Sequence, residues 1–425
     1  MFLKSLLDRN PALLEAALDL HQEGAIPPNT WVIDLDAVAR NAEILGAIAE
    51  RLELTTYLMT KQHARNPYVN HVAMANGVGK GVAVDIQCVQ QMCRYGFPVG
   101  HVGHLSQIPR RDVGEVVAIE PDVITVYNVE HARWIDAAAR ERGVVQDVLI
   151  RPYGTDDLFF DGQQGGFAEA EVPAAVEQIG ELANVRLVGV TAFPAVRYNR
   201  AAGDPVELTP NAQTALRTAA VLRSMGCEVL QVNLPGNTSA STMPMLAEAG
   251  ATHVEPGNGL LGTTPSHSFD ESLPELPTFT YVSEISHHFE DKALAFGGGL
   301  FRDIYDPAFR SSALVGSSFA AARENPVEYL SEVEQIIDYH AILHPGERCR
   351  VGDTALFGFR SQIQMTRSFV APVSGIQSGE PRLHFLFDAA ATALDSSFAP
   401  VAPDLVREDI DHLLSQQAAP AAPRN

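Results

Sequence analysis

Up to Gly262 the chain alternates between short apolar runs and longer stretches whose apolar residues recur at helical spacing. Trp31-Val32-Ile33-Asp34-Leu35 has the length of a strand, and the segment after it through Leu52 is helical in periodicity. Eight further strand-like runs lie near residues 57–60, 79–85, 99–103, 122–126, 147–151, 186–191, 228–233 and 252–255. Segments between them, such as 172–182 and 212–225, are helical by the same test. Eight strands alternating with helices predict an α/β fold built on a (β/α)8 TIM barrel. An open doubly wound sheet is the competing architecture, but it uses fewer strands and a Gly-rich first turn that is missing here. The barrel is expected.

The two ends of the chain read differently. Asn10-Pro11 followed by an apolar run predicts a capped helix that stops near Gly24, so residues 1–29 form an N-terminal helical segment. The barrel domain spans 30–262, with the first strand, 31–35, joining the second domain. Residues 263–279 are rich in Pro, Ser and acidic side chains and predict a linker. Strand-like runs at 280–286, 292–301, 349–359, 362–374 and 383–387 then predict a mostly-β domain over 280–400. The remaining residues, 401–425, predict a short helix near 404–414 and a disordered tail from Ala418.

Composition narrows the function classes. A chain of 425 residues, 46% hydrophobic, is long enough for a large core and two domains. A net charge of −22 with no basic block repels nucleic acid phosphates and anionic lipid, so neither is an expected partner. Charges break the apolar N-terminal residues too early for a signal peptide, and no uninterrupted apolar stretch approaches membrane-spanning length. Four cysteines (Cys88, Cys93, Cys227 and Cys349) in so long a chain fit a reducing compartment. A cytoplasmic location is expected.

Three strand ends carry candidate chemistry. Tyr57-Leu58-Met59-Thr60-Lys61 is an apolar run that stops on one lysine. A lysine at the C-terminal mouth of a barrel can form a Schiff base with an aldehyde cofactor, although most lysines after a strand are simply solvated. Asn233-Leu234-Pro235-Gly236-Asn237-Thr238-Ser239-Ala240-Ser241-Thr242 is a loop of small hydroxyl and Gly residues entering a helix. It suits a phosphate as well as it suits an ordinary helix N-cap, and the residues leave the two open. His253-Val254-Glu255-Pro256-Gly257-Asn258-Gly259 ends the last strand with Glu255 aimed at the barrel mouth and glycines that let backbone approach a ligand. A carboxylate there can pair with a protonated pyridine nitrogen; in isolation it is equally an exposed turn residue.

Taken together, Ile33-Asp34-Leu35-Asp36, the lysine-ended strand, Gly236-Asn237-Thr238-Ser239-Ala240 and Glu255-Pro256-Gly257 resemble the alanine racemase-like, fold-type III pyridoxal phosphate enzymes. The YhfX-type branch is the nearer likeness. Its features stand here as Arg65-Asn66-Pro67 after Lys61, Gly103-His104-Leu105 followed by Gln107-Ile108-Pro109, and Ser283-Glu284-Ile285-Ser286-His287-His288-Phe289. Gly297-Gly298-Gly299, Phe359-Arg360-Ser361-Gln362-Ile363 and Thr366-Arg367 carry it into the β domain, so it covers roughly residues 5 to 390. The resemblance implies a barrel plus β domain, pyridoxal 5'-phosphate as cofactor, an amino acid or small amine as substrate, and a head-to-tail homodimer.

Carried over residue by residue, the resemblance makes Lys61 the Schiff-base lysine. It places Thr238, Ser239, Gly257 and Asn258 on the phosphate, with Asn233 also against the cofactor, and Glu255 on the pyridine nitrogen. Alanine racemases have an arginine at that last position and the family's decarboxylases a glutamate. Ala192 stands where a histidine usually packs on the ring, and glutamine in Gly162-Gln163-Gln164-Gly165-Gly166-Phe167 stands where an arginine contacts the phenolic oxygen. Arg151 can restore that charge or bind a substrate carboxylate; a structural ion pair is the competing reading. For the second acid/base, His287 and His288 are the candidates, only one of which can face the site if they lie in a strand. Tyr305 and Cys349 are less favoured.

The expected reaction is racemisation or epimerisation, with decarboxylation or another lyase reaction as the neighbouring alternative. A non-catalytic cofactor carrier is the alternative from a different class, disfavoured by the large C-terminal domain. No metal site is expected: His101 and His104 have H-x-x-H spacing without a third ligand in view, and the β domain lacks the His-based metal spacing of the D-threonine aldolases. Gly77-Val78-Gly79-Lys80-Gly81 lacks the spacing and hydroxyl of a nucleotide-binding loop.

Overall fold

The computed structural model describes residues 2–199, 205–300, 311–330, 338–360 and 362–418. Tyr305, Ser361, the end of the run expected at 292–301 and the tail beyond Ala418 lie outside them. The chain divides into two compact units: 1–41 with 61–75 and 260–425, and 42–60 with 76–259. The chain opens with helices Leu3–Arg9 and Pro11–Gln22, the second started by a proline at its first turn, and then β1 (Thr30–Asp34).

The unit of residues 42–60 and 76–259 is a parallel barrel. Its strands are β2 (Thr55–Thr56), β3 (Leu58–Met59), β4 (Gly81–Ala83), β5 (Val99–Val102) and β6 (Val123–Val126), followed by β7 (Gln146–Ile150), β8 (Val185–Thr191), β9 (Gln231–Asn233) and β10 (His253–Val254). The order β2-β10-β9-β8-β7-β6-β5-β4-β3 has the two halves of one broken strand at its ends, so the sheet closes on itself. Alternate amides make the closure. Tyr57 and Met59 donate to the carbonyls of Val254 and Pro256, while Leu58 donates to Lys80 on the other side. The expected barrel is therefore present, with the run at 57–60 divided between two neighbours. Several of its helices begin on side-chain caps: Asp85, Asn128 and Thr209 each accept from the backbone three residues on. Gly189 permits the β8–β9 contact, since a Cβ there would lie 1.8 Å from the Gln231 carbonyl oxygen.

In the other unit, β11 (Phe279–Phe289), β12 (Lys292–Phe296), β13 (Ser311–Gly316), β14 (Pro326–Leu330), β15 (His340–His344) and β16 (Thr354–Phe357) form an antiparallel ring closed by β12 on β11. Three of these, β13, β14 and β15, fall between the runs expected from sequence. β1 lies between β11, antiparallel, and β17 (Phe369–Ser374), parallel. Leu6, Leu13, Leu14 and Leu18 of the N-terminal helices are buried against Val282, Leu314 and Leu356. Trp31 packs on Phe279 and Tyr281 with ring centroids 5.2 Å apart. The stretch expected as a linker is packed within this unit: Arg9 donates to the carbonyls of Leu273 and Glu275, and Asn41 bonds the backbone of Leu276 through both ends of its amide. The C-terminal helix runs Pro403–Ala418, and its Asp409 accepts from Tyr68 at 2.7 Å. No helix among the described residues is long and apolar enough to cross a membrane.

Candidate active site

The C-terminal ends of the barrel strands converge on Glu255. It follows β10 directly and is 4% exposed, while His101 on β5 and Asn233 at the end of β9 are wholly buried. Inward-facing positions of a small barrel fill its interior in layers, so strands far apart around the ring meet there. Glu255 Oε1 accepts from His101 Nδ1 at 2.7 Å and from Asn233 Nδ2 at 2.7 Å. His101 Nε2 lies 2.6 Å from Thr125 Oγ1 on β6. The other oxygen, Oε2, makes no hydrogen bond among the described residues and lies 3.7 Å from His104 Nε2. Burial by itself would raise the carboxyl's pKa. The fields of His104 and His101 and the hydrogen bonds from His101 and Asn233 outweigh it and hold the group down at about 2. Glu255 is a buried anion at neutral pH.

Beside it runs a second chain of contacts. Arg151, just past β7, donates to Tyr127 Oη at 2.6 Å and to the Phe193 carbonyl at 3.2 Å. Tyr127 in turn donates to the His104 carbonyl at 2.7 Å. The guanidinium sits 5.2 Å from the Tyr127 ring centre and 5.4 Å from that of Phe159. The competing reading of Arg151, a structural ion pair, is corrected: no described acid lies within ion-pair distance, because the neighbours that hold it are rings, a phenol and a carbonyl.

The two glycine-bearing loops press together. A Cβ on Gly259 would stand 1.9 Å from the Thr238 carbonyl oxygen, so only glycine fits where the loop after β10 crosses the loop after β9. Gly236 has φ +137 and Asn237 φ +46, a turn that suits their short side chains. Thr238, Ser239, Gly257 and Asn258 are all buried. Thr242 accepts from the Ser239 amide at 2.9 Å, a bond within the loop, and makes no side-chain cap to the helix Met243–Ala249 that follows, while Thr238 Oγ1 is buried with no hydrogen-bond partner among the described residues. Buried hydroxyls nearly always have partners, so Thr238 Oγ1 and Glu255 Oε2 are two polar atoms fitted for a ligand. These residues fit a phosphorylated pyridine cofactor.

Other candidates fall elsewhere. Lys61 follows Thr60 by one peptide bond, half-buried, as the first residue of a single 3-10 turn, Lys61–His63, in the unit that holds the β domain. His287 and His288 belong to that unit too, exposed near the end of β11; His287 touches Ser286 at 2.9 Å and packs edge-on against His340. Cys349 is buried and its thiol is pushed up to about 11, chiefly by desolvation, so it is no thiolate. Asn233, expected against the cofactor, spends its amide nitrogen on Glu255. The sequence offered no third ligand for His101 and His104. The barrel supplies one: donor atoms of His101, His104 and Glu255 all lie within 4.8 Å of one another. The H-x-x-H spacing singled out His101 and His104, and Glu255 was singled out as a strand end, but nothing in the sequence joined the two.

Fold and site define a class. Residues 33–265 match the family described as alanine racemase, N-terminal domain, and 280–383 match the YhfX-like C-terminal domain. The chain belongs to the alanine racemase-like, fold-type III family. Within it, the chain is 38% identical to the protein YhfX of Escherichia coli (strain K12) over 396 residues, 93% of this chain and 100% of that one. Similar solved structures include D-threonine aldolase from Filomicrobium marinum, with TM-score 0.61, 15% identity, and coverage of 86% of this chain and 96% of that one. Alanine racemase from Corynebacterium glutamicum has TM-score 0.55, 16% identity, and coverage of 78% and 89%. These two likenesses establish the fold.

Proposed function

We propose that this chain is a pyridoxal phosphate-dependent enzyme acting on an amino acid, a racemase or epimerase that exchanges the proton on Cα. Glu255 carries the reading: a buried carboxylate, ionised by its neighbours and with one oxygen that accepts no hydrogen bond from the described residues, follows a barrel strand of this family. When bound, the cofactor supplies an aldehyde that captures an amine and a ring that draws electron density from a bond broken at Cα. In this proposal Glu255 holds the ring nitrogen and Thr238, Ser239, Gly257 and Asn258 hold the phosphate. Arg151 lends positive charge to the phenolic oxygen or the substrate carboxylate. Lys61 carries the aldehyde, and its amine takes the Cα proton on one face.

The opposite face needs its own acid/base. His287 and His288 are exposed on the β unit, so we assign the role to one of them, delivered by a partner subunit in a head-to-tail homodimer. A second reading, cleavage of a carboxylate or side-chain bond at the same carbon, is favoured by Glu255 itself. A carboxylate at the ring nitrogen deepens electron withdrawal where an arginine would limit it.

The test is the absorption spectrum with added pyridoxal phosphate, followed by a panel of L- and D-amino acids in D₂O with proton NMR. Loss of the Cα proton signal with appearance of the opposite enantiomer is the expected result. Loss of the carboxylate or side chain would replace racemisation by the second reading. No binding of the cofactor would overturn both.

A further inference from the structure

His101 is bound at both ring nitrogens by the protein. Nδ1 meets Glu255 Oε1 at 2.7 Å and Nε2 meets Thr125 Oγ1 at 2.6 Å. An ionised carboxylate only accepts, so the proton between them belongs to Nδ1. Neither nitrogen of the buried ring can reach a ligand without breaking a short bond. Asn233 Nδ2 adds a second donor to the same oxygen, and its 3.2 Å approach to His101 Nδ1 sets two donors side by side on one acceptor. The carboxylate is therefore asymmetric: Oε1 takes two hydrogen bonds and Oε2 takes none from the described residues, with His104 Nε2 at 3.7 Å.

We propose that His101 is a positioning residue: braced by Thr125, it saturates Oε1 of Glu255 together with Asn233 and so leaves Oε2 to engage the ring nitrogen of the bound cofactor. The inference rests on the cofactor reading above and adds the device that orients its carboxylate. The cost of building it is low, because β5 and β6 are neighbouring strands and the Thr125 hydroxyl needs no charge to hold the imidazole. The same trio has the donor atoms of a divalent metal site. An ion there would have to displace the His101–Glu255 hydrogen bond, and the Thr125 contact already uses the nitrogen on the far side.

The experiment compares equilibrium binding of pyridoxal phosphate with that of its analogue carrying C–H in place of the ring nitrogen. The proteins are the wild type, His101→Leu, His101→Asn and Thr125→Val, each also followed by thermal unfolding without ligand. The asparagine keeps a donor near the position of Nδ1, and Thr125→Val removes only the brace. His101→Leu is expected to weaken pyridoxal phosphate about tenfold or more while changing the analogue less than about twofold. His101→Asn should recover most of the loss, and Thr125→Val should fall between. Equal losses for both ligands would overturn the proposal, since His101 would then only support the barrel. A stoichiometric transition metal in the wild type that His101→Leu loses would also overturn it. Should His101→Leu not fold, the Thr125→Val and His101→Asn ratios decide alone. A wild type that binds neither ligand would sink the cofactor reading itself, a result distinct from a wild type that binds both alike.

Discussion

Two pairs of histidines divide this molecule. His101 and His104 are buried in the barrel, and they are wired to a carboxylate 154 positions away in the case of His101. His287 and His288 are exposed on a β hairpin, where His287 meets Ser286 and His340. From sequence the exposed pair is the attractive one, because adjacent histidines in a family motif suggest a catalytic acid/base. The buried pair has only a spacing that fails as a metal motif. The geometry of the two pairs differs. The His101 imidazole has both nitrogens engaged, by Glu255 and Thr125, whereas the His287 ring touches only Ser286 and His340 among the described contacts. Burial marks the pair whose geometry this chain fixes by itself, and the proposal gives the exposed pair a role only through a second chain.

The largest effect that would break the contrast is at Glu255. Glu255→Ala removes the acceptor of two buried donors and should cost about 3–5 kcal/mol in urea unfolding. A cost below about 1 kcal/mol would mean that the network is slack. A third buried histidine sharpens the same point through pH. His63 is held down at about 4, mainly by burial and further by Arg65, although its bond to Asn70 opposes this. The unfolded chain then binds more protons between pH 4 and 6.5. Stability from this group is complete above about 6.5 and is lost as pH falls toward 4, by up to about 3 kcal/mol. Unfolding measured across that range should show the loss in the wild type and a flatter curve in His63→Gln.

Smaller effects separate ligand contacts from structural ones. Thr238→Val removes a buried hydroxyl that has no hydrogen-bond partner among the described residues, so unfolding of the free protein should stay within about 0.5 kcal/mol. Cofactor affinity should nevertheless fall about tenfold by fluorescence titration; an unchanged affinity would take Thr238 off the cofactor. Smallest in stability are His287→Ala and His288→Ala, each within about 0.5 kcal/mol of the wild type. One of the two should still slow Cα exchange on one face only, measured with each enantiomer in D₂O. If neither does, the partner-subunit assignment is wrong.

How much could be read beforehand follows from the range of the interactions involved. The barrel was legible because each strand is a short apolar run and each helix repeats at its own period, both local signals. Glu255 and the Gly236–Ser239 loop were legible as strand ends. The His101–Glu255 bond was not, since it joins non-adjacent strands across the barrel interior, and no local pattern encodes that register. The strands Ser311–Gly316, Pro326–Leu330 and His340–His344 escaped because part of each faces outward, which mixes polar residues into short runs. The segment at 263–279 misled for a different reason. Pro, Ser and acidic residues also make a tightly hydrogen-bonded wrap, and here His267 and Glu275 are buried together at 3.2 Å.

Everything proposed for the cofactor depends on Glu255 Oε2 meeting the ring nitrogen. Nitrogen-15 NMR of pyridoxal phosphate labelled at the ring nitrogen and bound to the wild-type protein tests this directly. The account predicts a protonated ring nitrogen in the wild type and an unprotonated one in Glu255→Gln. An unprotonated nitrogen in the wild type, or the same shift in both proteins, would contradict it.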